Sequence, residues 1–238
     1  MNDDRATHID LFSGIGGFAI AAERCGWKTV AFCEREKFCQ RVLRKHWPSV
    51  PIIDDIHELD GREYRGVSLI TGGFPCQPFS QAGQQRGADD DRALWPEMLR
   101  VITEARPRFV LGENVAGIIN LELDGVLSSL EAEGYSVGAV VVPACAVDAR
   151  HRRDRVWIIG ADNLADPNDP RRTQQRPAKP TPTQNETPQR RGEWGIEPDV
   201  CRVVDGIPER SHRLRGLGNA IVPQVAEQIL TALIESER

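Results

Sequence analysis

The chain has 238 residues, 40% of them hydrophobic and 27% charged, which suits one large globular domain, with or without a small appendage. It has no run approaching the roughly 18 apolar residues of a membrane span, and its N-terminus, MNDDRATHID, is not that of a signal peptide. We therefore expect neither a membrane protein nor a secreted one. The six cysteines form no C-x-x-C pair, so we expect reduced thiols and no metal site.

Charge is distributed unevenly along the chain. The net charge is −5, yet residues 150–215 carry 14 basic and 10 acidic side chains, whereas residues 1–149 carry 15 basic and 22 acidic ones. The basic C-terminal third could face phosphate groups, although charge alone does not predict binding to nucleic acid.

Strand and helix patterns alternate over the first 160 residues. We predict strands at 7–12, 28–33, 51–53, 67–71, 108–111, 135–143 and 155–160, and helices at 18–25, 36–46, 93–105 and 125–134. This alternation predicts an α/β fold, a mostly parallel sheet with helices on both faces. In such sheets ligands bind beyond the carboxyl ends of the strands.

The alternation stops where a proline-rich segment begins. Residues 162–195 contain six prolines, four glutamines and few aliphatic side chains, so we expect a flexible insert there. A final helix is predicted at 222–235, and it would fold back onto the main body. The sequence is therefore divided into a main domain at 1–160, the insert at 161–195, a short segment at 196–216 and a C-terminal segment at 217–238.

A glycine turn follows the first predicted strand. Gly14-x-Gly16-x-x-Ala19 opens a helix, and Glu34 lies twenty residues further on at the end of the second strand. This pattern is the dinucleotide fingerprint, in which glycines allow a ligand to approach the backbone and the carboxylate binds ribose hydroxyls. Both NAD and S-adenosylmethionine fit it, and so does a tight turn without a ligand. The pair Asp54-Asp55, at the end of the third strand, could bind an adenine amino group, although such a pair is more often an ordinary loop feature.

Cys76 lies in the loop Gly72–Ser80, GGFPCQPFS, directly after a predicted strand. The flanking prolines stiffen this loop and would hold the sulfur in one place. A thiolate is a strong nucleophile. A lone cysteine is more often a buried thiol, but a polar loop rich in glycine and proline favours the nucleophile.

Two further polar groups follow later strands. Glu113, in the segment GENV, could act as an acid or as a hydrogen-bond partner of a ring nitrogen if burial raises its pKa. The segment HRRDRVWIIG places Arg153 and Arg155 at the start of a strand, where alternation would point both side chains to one face. A solvated basic run is the alternative interpretation of these arginines.

Five segments in this order resemble the DNA cytosine-5 methyltransferase family, in the compact form found in phages and mobile elements. They are DLFSGIGGF, GGFPCQPFS, GENV, HRRDRVWIIG and RLRGLGNAIVP, and the resemblance extends over the chain except residues 161–200. It implies a Rossmann-like fold that uses S-adenosylmethionine. Residues 1–160 would be the catalytic and cofactor-binding domain, 196–216 a reduced target-recognition segment, and 217–238 the completion of the catalytic domain.

The resemblance also implies a role for each site residue. Cys76 would add to carbon 6 of a cytosine flipped out of double-stranded DNA, Glu113 would contact the ring nitrogen N3 and the amino group, and Arg155, with Arg153 less directly, would hold the base and the cysteine loop. The cofactor would contact Phe12, Ser13, Gly14, Gly16, Gly17, Glu34, Asp55, Ile56, Pro75, Leu94 and Asn219. The DNA would contact Gln77, Ser80, Arg152, Arg213 and Arg215.

Two departures from the family pattern affect these expectations. His151 stands where the arginine motif begins with glutamine, and only residues 161–216 separate that motif from the Gly-Asn motif, where the family has a recognition domain. Residues 194–215 are the candidate for a short reader of sequence, and a second chain could complete it. The alternatives to an active enzyme are a relative that binds DNA or cofactor without catalysis, and a nicotinamide oxidoreductase. We expect a monomeric, cytoplasmic protein from a bacterium or phage, with a place in restriction-modification.

Overall fold

A computed structural model of the chain describes residues 6–75, 94–162 and 216–236. The strands are β1 (Thr7–Leu11), β2 (Lys28–Cys33), β3 (Ile52–Ile53), β4 (Leu69–Gly72), β5 (Phe109–Val115), β6 (Tyr135–Pro143) and β7 (Asp154–Asp162). The helices are α1 (Gly17–Arg24), α2 (Lys37–His46), α3 (Trp95–Ala105), α4 (Leu123–Ala132) and α5 (Pro223–Glu235). The segments 161–195 and 196–216 fall outside the described residues except for 161, 162 and 216.

The seven strands form one sheet in the order β3-β2-β1-β4-β5-β7-β6. Pairs among β1 to β5 are parallel, whereas β7 runs antiparallel to both β5 and β6. The predicted mostly parallel sheet is confirmed. The strand order reverses between β1 and β4, and this reversal is where a doubly wound sheet opens a crevice for ligands.

Helices cover both faces of the sheet, and the central strands are buried on both sides, whereas the edge strand β6 is largely exposed. On one face, α3 and α4 bury side chains such as Met98, Ile102 and Leu130 against the strands. On the other face, α1 and α5 pack around Phe109 and Trp157, and α2 packs through Leu43. Burial on both faces is the pattern of a parallel sheet in an α/β protein.

The C-terminal helix folds back onto the main body, as predicted. Pro223 occupies its first turn, where the missing N–H costs nothing, and its buried face includes Val225 and Leu230. By length and composition alone, Gly216–Glu235 is apolar enough to cross a membrane, which is weak evidence for a span. The structure interrupts the helix at residues 220–222 and packs α5 against α1 in the core.

Strand β5 is longer than predicted, since it continues from Leu111 to Val115. A glycine followed by two polar residues is not a typical strand sequence, but the ladder with β7 extends through this stretch and pairs Glu113 with Trp157. The extension matters for function because it puts Glu113 inside a buried strand and not in a loop.

Candidate active site and cofactor cavity

The carboxyl ends of the parallel strands surround a cavity of about 400 Å³. This volume lies within the range of small-molecule sites. Among the residues predicted to bind cofactor, the lining includes Phe12, Ser13, Gly14, Gly17, Glu34, Pro75, Leu94 and Asn219. Residues that are far apart in the sequence are thus brought together at one edge of the sheet.

A second cavity of about 350 Å³ shares Phe12, Arg35 and Leu94 with the first. Its lining includes Asp55 and Ile56, the two residues predicted to contact adenine. The two cavities together therefore present ten of the eleven predicted cofactor residues, and Gly16 is the one that neither lining includes.

The turn after β1 has the backbone conformations that a close ligand approach requires. Gly14 and Gly16 have positive φ angles of 55° and 89°, and Phe12 adopts a φ of 53°, which is unusual for a residue with a large side chain. A Cβ atom on Gly16 would lie 2.6 Å from the Trp47 ring, so Gly16 allows packing against α2, whereas Gly14 faces open space among the described residues.

Glu34 is anchored at the wall of the first cavity by two backbone donors. Its Oε2 accepts a hydrogen bond from Gly14 N at 2.7 Å, and its Oε1 accepts one from Glu36 N at 2.6 Å. Burial raises the pKa of this carboxyl group, and the two backbone bonds oppose the rise. A carboxylate has further lone pairs, so Glu34 can still accept hydrogen bonds from ligand hydroxyls.

Asp55 is held by its own turn. Its Oδ1 accepts hydrogen bonds from His57 N at 3.0 Å and from the His57 ring at 2.7 Å, and these bonds hold the pKa of Asp55 below its usual range. The fixed carboxylate faces the second cavity, where it can accept a hydrogen bond from an amino group.

Glu113 and Arg155 form a buried pair on the paired strands β5 and β7. Arg155 Nε lies 2.8 Å from Glu113 Oε1, close enough for an ion pair, but the angle between the two groups does not suit a hydrogen bond. Glu113 is buried, with 7% of its surface exposed. Burial raises the pKa of Glu113, while the charges of Arg155 and Arg153 oppose the rise. A carboxyl group in this setting can hold a proton at a pH where free glutamate has lost it.

The start of the cysteine loop lies directly beside this pair. A Cβ atom on Gly73 would be 3.4 Å from Glu113 Oε2, and Asn114 Nδ2 donates a hydrogen bond of 3.0 Å to the Phe74 carbonyl. Asn114 therefore anchors the chain two residues before Cys76. No role was predicted for Asn114 from the sequence, although its position next to Glu113 in the segment GENV could have indicated one.

Arg153 and Arg155 go to different partners, contrary to the expectation that both point to one face. β7 begins at Asp154, so Arg153 precedes the strand, and its φ of 38° breaks the alternation. Arg153 Nη2 donates hydrogen bonds of 2.7 and 2.8 Å to the carbonyls of Gly218 and Ala220, on either side of Asn219. Arg153 thus binds a segment that lines the first cavity, whereas Arg155 pairs with the Glu113 carboxylate.

The residues predicted to contact DNA are described only in part. Arg152 is exposed and forms an ion pair with Asp154 at 3.0 Å. Outside the described residues lie Cys76, Gln77, Ser80, Arg213, Arg215 and the candidate reader at 194–215.

Comparisons with known proteins identify the family. Residues 6–198 match the family of C-5 cytosine-specific DNA methylases. The chain is 40% identical over 162 residues to the Type II methyltransferase M.PspPI of Psychrobacter, covering 64% of this chain and 38% of that protein. It is 35% identical over 162 residues to M.NgoMIV of Neisseria gonorrhoeae, covering 66% and 52%.

A solved structure shares the fold. Dnmt2 methyltransferase of S. pombe matches with a TM-score of 0.59 at 20% identity, over 68% of this chain and 52% of that one. The chain spans about a third to a half of the length of the curated relatives it matches. With a family match over most of its length and the Rossmann-like sheet of methyltransferases, this chain belongs to the C-5 cytosine-specific DNA methylase family.

Proposed function

We propose that this protein is a DNA cytosine-5 methyltransferase that uses S-adenosylmethionine. The observation that carries the proposal is the buried pair of Glu113 and Arg155, positioned beside the backbone that leads to Cys76. Pro75 lines the cofactor cavity and directly precedes Cys76, so the expected nucleophile and the cavity are neighbours in the chain.

The cavities fit the proposed cofactor. Glu34 would accept hydrogen bonds from the ribose hydroxyls, Asp55 would accept one from the adenine amino group, and the turn after Phe12 would line the methionine end. Ile56 supplies an apolar wall for a purine ring. When bound, S-adenosylmethionine supplies the methyl group of the reaction.

The protein's own residues account for the activation of the base. Carbon 5 of cytosine is a weak nucleophile, so we infer that the Cys76 thiolate adds to carbon 6 while Glu113 donates a proton to N3. The electron pair released by this addition makes carbon 5 nucleophilic. After methylation, water takes the proton from carbon 5, and the electrons of that C–H bond form the C5=C6 double bond as the sulfur leaves carbon 6 as the thiolate. N3 returns its proton to the Glu113 carboxylate, which restores the acid for the next turnover.

The ion pair with Arg155 fits this role in two ways. It keeps Glu113 Oε1 close to Arg155 Nε, and the positive charge of Arg155 stabilises the carboxylate that remains after the proton has left. A base stacked inside a duplex cannot reach such a site, so the target cytosine would be flipped out of double-stranded DNA. We further propose that the protein is a monomer and that it acts in the cytoplasm of a bacterium or of the host of a phage. In this proposal α5 is a helix of the protein core.

The nucleophile is tested by replacing Cys76 with serine. The Cys76→Ser variant should lose methylation and keep cofactor affinity, because a hydroxyl is far less ionised and less nucleophilic than a thiol. The assay measures transfer of label from tritiated S-adenosylmethionine into unmethylated DNA, and the product is identified as 5-methylcytosine.

A covalent trap provides the second readout. DNA containing 5-fluorocytosine should form a stable adduct with the wild-type protein, since fluorine cannot leave as a proton does, and the Cys76→Ser variant serves as its control. Methylation of ordinary DNA without any adduct on the fluorinated DNA would contradict the covalent mechanism. Cofactor and DNA binding with no methylation at all would point to the non-catalytic relative.

A further inference from the structure

Gln40, on α2, is a fully buried polar side chain whose hydrogen bonds are all made within the protein. Its Nε2 donates to the Glu34 carbonyl at 2.6 Å and to Asp54 Oδ1 at 2.8 Å. Its Oε1 accepts from Arg44 Nη2 at 3.2 Å and from Lys37 Nζ at 3.4 Å. An amide offers two donors and two acceptor lone pairs, so all four positions are used.

These partners fix the orientation of the Gln40 amide. The NH₂ group faces two oxygens, and the oxygen faces two cationic side chains, Lys37 and Arg44. Rotating the amide by half a turn would set oxygen against oxygen and NH₂ against cations. A single orientation is therefore strongly favoured, which makes Gln40 a rigid link.

The link joins the ends of two strands that form the cofactor cavities. Glu34 directly follows β2 and lines the first cavity, while Asp54 follows β3 and, with its neighbour Asp55, lines the second. β3 has only two residues and pairs with β2 through a short ladder, so backbone pairing alone constrains it weakly. The Gln40 amide adds a buried connection at the point where the two strands end.

We propose that Gln40 is a positioning residue that sets the distance between the ribose-binding carboxylate of Glu34 and the adenine-binding side chain of Asp55. The inference rests on the proposed use of S-adenosylmethionine and extends it to a residue that contacts no ligand. Without the Gln40 amide, the Glu34 carbonyl and the Asp54 carboxylate lose a donor each. The strand ends are then held together by the backbone hydrogen bond of 2.9 Å from Glu34 N to the Ile53 carbonyl and by the half-exposed ion pair of Lys37 with Asp54, neither of which fixes the Asp54 side chain from the buried side.

The test compares two variants and a matched control by calorimetric titration with S-adenosylhomocysteine. Gln40→Met keeps the length of the side chain and removes its polar atoms. Gln40→Glu keeps the shape and the acceptors for Lys37 and Arg44, but turns an oxygen toward Asp54. Both should raise the Kd at least about tenfold, as expected for buried groups left unpaired. Lys45→Met introduces the same side chain at an exposed position of α2 and should leave the Kd unchanged.

A second titration separates positioning from a general loss of structure. Wild-type protein should bind adenosine more tightly than 2′,3′-dideoxyadenosine, because Glu34 binds the ribose hydroxyls. In the folded Gln40 variants the ratio of the two Kd values should fall toward one. Folded variants, verified by their melting temperatures, that keep the wild-type preference and affinity would overturn the role of Gln40. Wild-type protein that does not bind S-adenosylhomocysteine would instead overturn the proposed cofactor.

Discussion

Burial determines what the Glu113 carboxyl group can do. Glu113 lies in the part of β5 that pairs antiparallel with β7, and its Oε1 is 2.8 Å from Arg155 Nε. Desolvation raises the pKa of Glu113 and outweighs the opposing charges of the two arginines. A general acid works best when its pKa approaches the working pH, so burial suits Glu113 to the proton donation proposed above.

Replacing Glu113 with glutamine keeps the shape and removes the transferable proton. We expect Glu113→Gln to lower the rate of methylation by roughly 10²- to 10⁴-fold, the usual contribution of a positioned general acid. The affinity for S-adenosylhomocysteine should change little, since Glu113 does not line either cofactor cavity. Single-turnover methylation and calorimetry measure the two effects, and near-normal turnover would show that the acid is another residue.

Stability gives an independent check on the pKa of Glu113. The pKa of Glu113 is higher in the folded protein than in the unfolded chain. The stabilisation that Glu113 contributes is therefore complete below its unfolded-state pKa and is lost as pH rises through its folded-state pKa. The melting temperature of the wild-type protein should therefore decline relative to Glu113→Gln as pH rises through that range. A difference that does not change with pH would contradict the raised pKa.

Between elements, Arg153 connects the β6–β7 hairpin to the segment that precedes α5. Its guanidinium binds two carbonyls that flank Asn219, and Asn219 lines the cofactor cavity. The neighbouring Arg155 instead serves the Glu113 carboxylate. Two arginines separated by one residue thus support two different parts of the site.

Because Arg153 and Arg155 support different parts of the site, replacing each of them with methionine should cause a different defect. Arg153→Met should weaken the binding of S-adenosylhomocysteine by about tenfold or more, because two hydrogen bonds from a charged donor are lost. Arg155→Met should lower methylation while cofactor affinity is retained. Titration and single-turnover kinetics on both variants measure the contrast, and equal effects of the two substitutions on affinity would show that the division is wrong.

Elements with a strong hydrophobic pattern were predicted closely from sequence. β2 and β6 have the predicted bounds, and α5 begins one residue later than expected. The hydrophobic pattern could not reveal contacts made by polar side chains. In the sequence of α2, Phe38, Val42 and Leu43 recur at helical spacing and indicate one apolar face. The structure also buries Gln40, whose partners come from two strand ends. The antiparallel direction of β7 and the extension of β5 likewise depend on pairing between distant segments.

For the whole molecule, the distribution of charge predicts how DNA is bound. The chain is acidic overall, so affinity should come from the basic stretches at 150–155 and 202–215, with the segment 171–191 as a third contributor, and should fall steeply with salt. Few base edges can be read by a short recognition segment, and each good contact contributes only ~1–3 kcal/mol of discrimination. We expect a relaxed target of about two to four base pairs, or activity that requires a second chain.

A deletion tests which part of the chain reads the target. Removing residues 168–190 should weaken DNA binding modestly at low salt and leave the target unchanged, because we expect that segment to position no base contacts. Bisulfite sequencing of plasmids methylated by the intact and deleted proteins compares the two targets. A long, strict consensus that disappears with the deletion would identify this segment as the reader.

The antiparallel direction of β7 has a geometric consequence for that deletion. The strand ends at Asp162 beside Arg108, at the amino edge of the sheet, whereas Gly216 lies at the opposite edge beside Ile15 and Phe38. The connecting chain must therefore span at least the height of β7, about 30 Å for its nine residues. The shortened connection retains 30 residues, with a maximum reach of about 100 Å. Its length can thus vary widely while both of its attachment points stay in place.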